Sequence, residues 1–255
     1  MTASPYIRAA FWMTGSIACM LIMTWAGRET TSRLDVFQVV EIRSLIGLVL
    51  LYPLVRKASG FKAMRTSRPM LHLGRNVAHY CGQSAWLAAL TMIPLTQVIS
   101  IEFTAPIWTA LLAVLFLGER MTGWKWAAVL IGLVGVLIIV RPGVDTVSIG
   151  QLVVLGAAAF FSISYTTTKA LTRTDSVVKI IFWMLIIQAI IGIIPAILVW
   201  RTPPHDVWPW LVLIAFGGSY AHYCIARALA CDDAPMVVPM DFLRVPATAA
   251  LGWFA

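Results

Sequence analysis

Nine apolar runs follow one another along this chain with only short polar gaps between them: about 7 to 26, 36 to 55, 71 to 91, 94 to 117, 124 to 140, 149 to 171, 176 to 199, 208 to 230 and 234 to 255. Each is near the roughly 20 residues that a helix needs to cross the hydrocarbon core of a bilayer. In lipid every backbone donor and acceptor must be satisfied inside the protein, so runs of this length cross as helices. Composition agrees, since 60% of the 255 residues are apolar and 12% charged, against about 25% charged in soluble domains. The expected fold is an all-α polytopic membrane protein. Arg8 and the small residues around Thr24-Trp25-Ala26 give the first run the look of a signal peptide. Its length and the spans that follow make it a retained span. Pro94, Pro142-Gly143, Pro203-Pro204 and Pro235 fall in the gaps, where helices must stop or start.

The net charge is +8, and its distribution gives an orientation. The longest loop holds Arg56, Lys57, Lys62, Arg65 and Arg68 with no acid. With that loop and the N-terminus in the cytoplasm, alternation adds Arg8, Arg120, Lys125, Lys169, Arg173 and Lys179 to the same side. Only Arg28, Arg33, Arg141 and Arg201 lie outside. That excess follows the positive-inside rule. No segment has the dense basic character of a nucleic-acid site. Cys19, Cys81, Cys224 and Cys231 form no CxxC pair and read as packing residues, with no metal or disulfide framework. No cofactor or enzyme signature is present, and His205-Asp206 in a short external loop is weak evidence of catalysis. No P-loop or other ATP-binding motif is present.

A shift of 139 residues superposes part of the chain on itself, matching Ala89 with Ala228, Leu90 with Leu229, Val98 with Val237, Phe103 with Phe242, Thr109 with Thr248, Ala110 with Ala249 and Leu112 with Leu251, and placing Glu102 over Asp241. Five spans separate the copies, so they run oppositely through the membrane. This is the inverted-repeat arrangement of alternating-access transporters. The first repeat would cover 1–143 with five spans and the second 144–255 with four, its last helix missing.

The stretches Thr66-Ser67-Arg68-Pro69, Ile101-Glu102-Phe103-Thr104-Ala105-Pro106, Leu117-Gly118-Glu119-Arg120 and Gly135 to Gly143 resemble the drug/metabolite transporter superfamily, in its EamA-type branch of two five-helix repeats. That resemblance implies a secondary-active or facilitative carrier of a small metabolite in an inner membrane. Its members move amino acids, riboflavin, S-adenosylmethionine and other metabolites. A non-transporting fragment lacking its tenth helix, or a polytopic membrane enzyme, are the alternatives.

Charges in mid-span carry the functional signal, because each is expensive in lipid unless paired or facing water. Glu102 lies about 12 Å from the external end of its span and Asp241 about 10 Å from the cytoplasmic end of an oppositely directed one, at 1.5 Å per residue. Both therefore belong near the midplane. They either neutralise a cationic group on the substrate, titrate as a proton-coupling site, or are permanently paired with Arg75, Arg227 or Arg244. Asp241 and Arg244 are spaced to pair locally; Glu102 has no such neighbour and is the leading site residue.

Arg75, His79, Gln83 and Trp86 share one face of the third span, as a cavity wall would, although Arg75 is near enough to the end to snorkel. His222 and Arg227 form a looser polar set. Glu41 and Arg43 point apart on their helix, and each needs a partner elsewhere. Pro106 is expected to kink the fourth span beside Glu102 and act as a hinge, with Pro246 as its counterpart. Ala128 and Gly132 make a small-residue pair suited to close packing, with a homodimer surface as one reading.

Overall fold

The computed structural model describes residues 4–140, 148–244 and 247. Among these it is an all-helical membrane protein. In order the helices are α1 (Pro5–Thr31), α2 (Val36–Lys57), α3 (Pro69–Met92), α4 (Leu95–Glu102), α5 (Ala105–Leu117), α6 (Gly123–Val140), α7 (Ile149–Thr172), α8 (Val177–Leu198), α9 (Trp208–Cys231) and the short α10 (Ala234–Val237). The expected bounds hold to within a few residues where the chain is described.

Caps set several helix starts. Ser4, Asp35 and Ser176 each accept a backbone N–H in the first turn of α1, α2 and α8, and Ser148 with Gln151 forms a reciprocal capping box on α7. Pro5, Pro69, Pro106, Pro209 and Pro235 stand in first turns, where a missing N–H costs no helical bond. At its far end α5 stops on Gly118, whose φ of 67° is in the left-handed region.

Six units are long and apolar enough to cross a membrane by length and composition: α1, α2, the α4–α5 unit, α7, α8, and α9 with the turn before it. Helix α3 is as long but less apolar, because its inner face carries His72, Arg75, Asn76, His79 and Gln83, all buried. The polarity is thus turned inward. Phe11, Val49, Ile194 and Leu198 face outward, while Arg43, Asn76 and Gln188 are enclosed.

Packing pairs helices across the chain: α1 lies along α9, α7 along α3, and α2 along α8. The bounds of α3 and α9 differ by 139 residues at both ends, the same offset that relates Glu102 to Asp241. Gly217 lets α9 approach α1 until backbone meets backbone; a Cβ there would stand 3.0 Å from the Cys19 carbonyl oxygen. Gly217→Leu should therefore cost about 1–3 kcal/mol by overpacking. Gly156→Leu, at a position with nothing within 4 Å of the new Cβ, serves as the control. Melting of both variants in detergent checks this, with the midpoint expected to fall only for the first.

Two expected spans are not continuous helices. The fourth breaks at Phe103 and Thr104, between α4 and α5, and the ninth passes from α10 into a 3-10 turn at Val238–Leu243. Pro106 is therefore no mid-helix kink, since it begins α5 just past the break. Pro246 and the side chains of Ala128 and Gly132 lie outside the described residues.

One buried knot ties the α2–α3 connection and the start of α3 to the α7–α8 connection. Asp175, between α7 and α8, accepts from Thr66 (2.7 Å), from Lys179 (3.0 Å) and from His72 Nε2 (2.8 Å). Burial works to raise the Asp175 pKa, but the donations from Thr66, His72 and Lys179 hold it below the usual carboxylate range.

Candidate functional site

The two helix breaks meet at the centre of the molecule. Arg244 Nη2 donates to Glu102 Oε1 at 2.6 Å and to Asp241 Oδ2 at 2.9 Å, so one guanidinium bridges both acids. The Trp86 indole donates to the other Glu102 oxygen at 2.7 Å. Arg244 also lies over the Phe103 ring, 5.1 Å from its centroid. The rings of Phe103 and Phe242, matched by the same 139-residue offset, touch with centroids 5.5 Å apart. Glu102 is thus not without a cation, as its own helix implied; its partner comes from 142 residues along the chain. Just past the α4–α5 break α7 ties to the first turn of α5, where Ser162 donates to the Ala105 carbonyl at 3.0 Å.

Beside this crosspiece is a cavity lined by His79, Gln83, Trp86, Glu102, Phe161, Tyr165, His222 and Arg244, with Met20 and Met23. Its volume is about 20 Å³. One water needs about 10–15 Å³ on such a measure and a small-molecule site typically several hundred, so the void as it stands has room for about one water. His79 and His222 pack edge to face at 4.4 Å. Both ring nitrogens of His79 and both amide atoms of Gln83 are buried without a well-aligned hydrogen bond. Such groups are costly to leave unpaired, and these four atoms belong to side chains that border the one void near them. The 139-residue offset also places Gln83 over His222, a relation the sequence reading missed.

The structure gathers Glu102, His79, Gln83, Trp86, His222 and Arg244 at this cavity. Three expected residues lie elsewhere. Arg75 neither lines the void nor snorkels: it is buried, with Nε donating to Thr168 on α7 at 3.1 Å and Nη1 to Asn76 at 2.6 Å. Arg227 lies over the Trp12 ring of α1 at 4.9 Å, a packing role. Asp241 faces Arg244 on one side and a separate, smaller void beside Tyr165 and Met13 on the other. In the loop before α9, Asp206 pairs with Arg33 and is occupied as a surface ion pair.

The two ends of the half-helices are closed differently. Glu119 accepts the Ala234 N–H at the start of α10 (2.9 Å) and lies 3.8 Å from Lys169. Lys169 in turn donates to the Leu229 and Asp232 carbonyls at 2.9 and 2.6 Å, and Lys125 pairs with Asp233 at 3.1 Å. Burial raises the Glu119 pKa above the usual carboxylate range, with Lys169 acting against it. Near the start of α4, the corresponding polar link is a 3.4 Å amide bond from Gln151 to Gln97.

Comparison with known proteins adds ancestry to this geometry. A riboflavin transporter of Brucella anthropi is 32% identical over 90% of this chain and 82% of its own. An S-adenosylmethionine uptake transporter of Rickettsia prowazekii is 24% identical over 98% and 84%. A pseudopaline exporter of Pseudomonas aeruginosa is 27% identical over 91% and 82%. One solved crystal structure superposes with a TM-score of 0.76 over 97% of this chain and 88% of its own at 18% identity, a likeness of fold. The pattern of the EamA-like transporter family matches residues 7–141, more than half of the sequence. The chain belongs to the EamA-like transporter family.

Proposed function

We propose that this protein carries a small metabolite across a bacterial inner membrane by alternating access, with the substrate held in the cavity between the two helix breaks. The observation that carries this reading is the set of four buried polar atoms of His79 and Gln83 that have no well-aligned hydrogen bond to the rest of the protein, at a void beside interrupted helices. Discontinuous helices meeting near mid-membrane are the usual site of substrate in inverted-repeat carriers. Repeats 1–143 and 144–255 rock about that point, and the cavity widens toward one face at a time. The basic loop and the Glu119 end face the cytoplasm, with the N-terminus on the same side, because the excess of Lys and Arg lies there.

The relatives named above differ in what their names say they carry, and two are named for uptake or export. Riboflavin and S-adenosylmethionine are therefore the first substrates to test, in both directions. His79→Ala and Gln83→Ala should each reduce flux of the true substrate in proteoliposomes about tenfold, the effect of one hydrogen bond of about 1–1.5 kcal/mol. Each truncation also removes buried packing, in His79 the ring contacts to Phe161 and His222, so flux is compared at a temperature below the melting midpoints of both variants. Unchanged flux in both variants would remove the cavity from the transport cycle.

A further inference from the structure

Arg43 and Arg75 are interior charges that the Glu102–Arg244–Asp241 crosspiece does not use. They are 1% and 2% exposed. Arg43 on α2 donates to Gln188 of α8 at 2.8 Å, and Arg75 on α3 donates to Thr168 and Asn76. Every one of those acceptors is neutral, and among the described residues neither arginine has a carboxylate within ion-pair distance. Glu41, two residues from Arg43, turns instead toward Tyr80 and Gly192. A guanidinium enclosed without a counter-ion is among the costliest arrangements in a membrane protein. Its planar fork of donors matches a carboxylate or a phosphate.

Neither side chain lines the void, but each stands one helical turn behind a residue that does. The Arg43 head lies against Gly218 of α9, one turn before His222 and beside Met23, so close that a Cβ at 218 would stand 2.6 Å from Nη1. Arg75 is one turn before His79 on α3. His79 and His222 touch each other and border the cavity, and both imidazoles feel the charge of both arginines. Two cations without counter-ions among the described residues therefore stand on α2 and α3 behind a pair of imidazoles, one of which has no well-aligned hydrogen bond at either nitrogen.

We infer that the transported molecule carries an anionic oxygen group, a carboxylate or a phosphate, which Arg43 and Arg75 receive when the cavity widens; of the two molecules named above, S-adenosylmethionine has such a group and riboflavin does not. Gln188, Thr168 and Asn76 hold the two guanidiniums while the site is empty. The inference rests on the cavity being the substrate site.

The purified full chain in lipid-free detergent tests it. Arginines are modified with phenylglyoxal in chloride, inorganic phosphate or acetate at equal ionic strength, and the adducts are located by peptide mass spectrometry. Phosphate or acetate should slow modification of Arg43 and Arg75 at least fivefold while leaving the exposed Arg33 unaffected. A parallel arm with short-chain phosphatidic acid separates a transported anion from a lipid headgroup, and protection by the lipid alone overturns the inference. So do equal rates in chloride, phosphate and acetate, or arginines that never react. As a second reading, phosphate should raise the melting midpoint saturably in the parent but not in Arg43→Gln or Arg75→Gln; a rise kept in both variants also overturns it. Failure of the cavity reading shows differently, as unchanged flux in His79→Ala and Gln83→Ala.

Discussion

Arg244→Gln should be the most damaging single substitution at the centre of the molecule, lowering the melting midpoint in detergent by on the order of 10 °C. The guanidinium holds Glu102 and Asp241 together from a position 3% exposed, with the acids 9% and 17% exposed. Removing one partner of a buried pair leaves the others charged in a low dielectric, a loss of about 3–5 kcal/mol. At about 2–4 °C per kcal/mol for a chain of this size, that becomes the stated drop. The cause can be isolated, because the damage comes from stranded carboxylates and not from lost volume. Glu102→Gln and Asp241→Asn added to Arg244→Gln should restore most of the midpoint, since Gln at 102 still accepts from the Trp86 indole. Flux should remain absent in the triple variant, which keeps the shape of the crosspiece without its charge. A midpoint that moves by less than about 2 °C in the single variant would mean that Arg244 does not bridge the acids.

Asp175→Ala should be nearly as severe, and through the same kind of loss. Its carboxylate is the shared acceptor of Thr66, His72 and Lys179, and it anchors the Thr66-Ser67-Arg68 entry to α3. Deleting it strands two nitrogen donors in a buried place, again about 3–5 kcal/mol. The folded pKa of Asp175 is lowered, so its contribution is fully present above the unfolded value of about 3.9 and is lost as pH falls through the folded value. The parent should therefore lose midpoint steeply below about pH 4, and Asp175→Ala should show a flatter acid limb from a lower plateau. Limited proteolysis between Arg56 and Arg68 gives a second measure, with faster cutting expected in the variant.

The contrast between these two centres shows what the sequence could reveal. Span positions were legible because lipid leaves a chain few options; the expected 208 to 230 became Trp208–Cys231. Glu102 was legible for the same reason, as a charge where charge is expensive. Its partner was not, because Arg75, Arg227 and Arg244 all lie in spans, and only folding brings one of them to it. Neither was the break at Phe103 and Thr104, where the apolar run continues from α4 into α5 and no glycine marks the interruption. Asp175 gave no sign at all, since its three donors come from a loop and two different helices. Arg227 misled by position: a cation in mid-run found an aromatic ring on α1 instead of the site.

The unequal closures of the two ends carry a kinetic meaning. Charged groups gather where α10 begins, while a single amide contact links Gln151 to Gln97 near the start of α4. On the proposed transport cycle, parting the charged groups at the α10 end is expected to meet a higher barrier than parting the amide contact at the α4 end, giving unequal rates of opening at the two mouths. Detailed balance forbids that bias from choosing a sense of travel. It sets how often the cargo is released on each side per unit time, and the sign of net movement is left to the concentrations it faces.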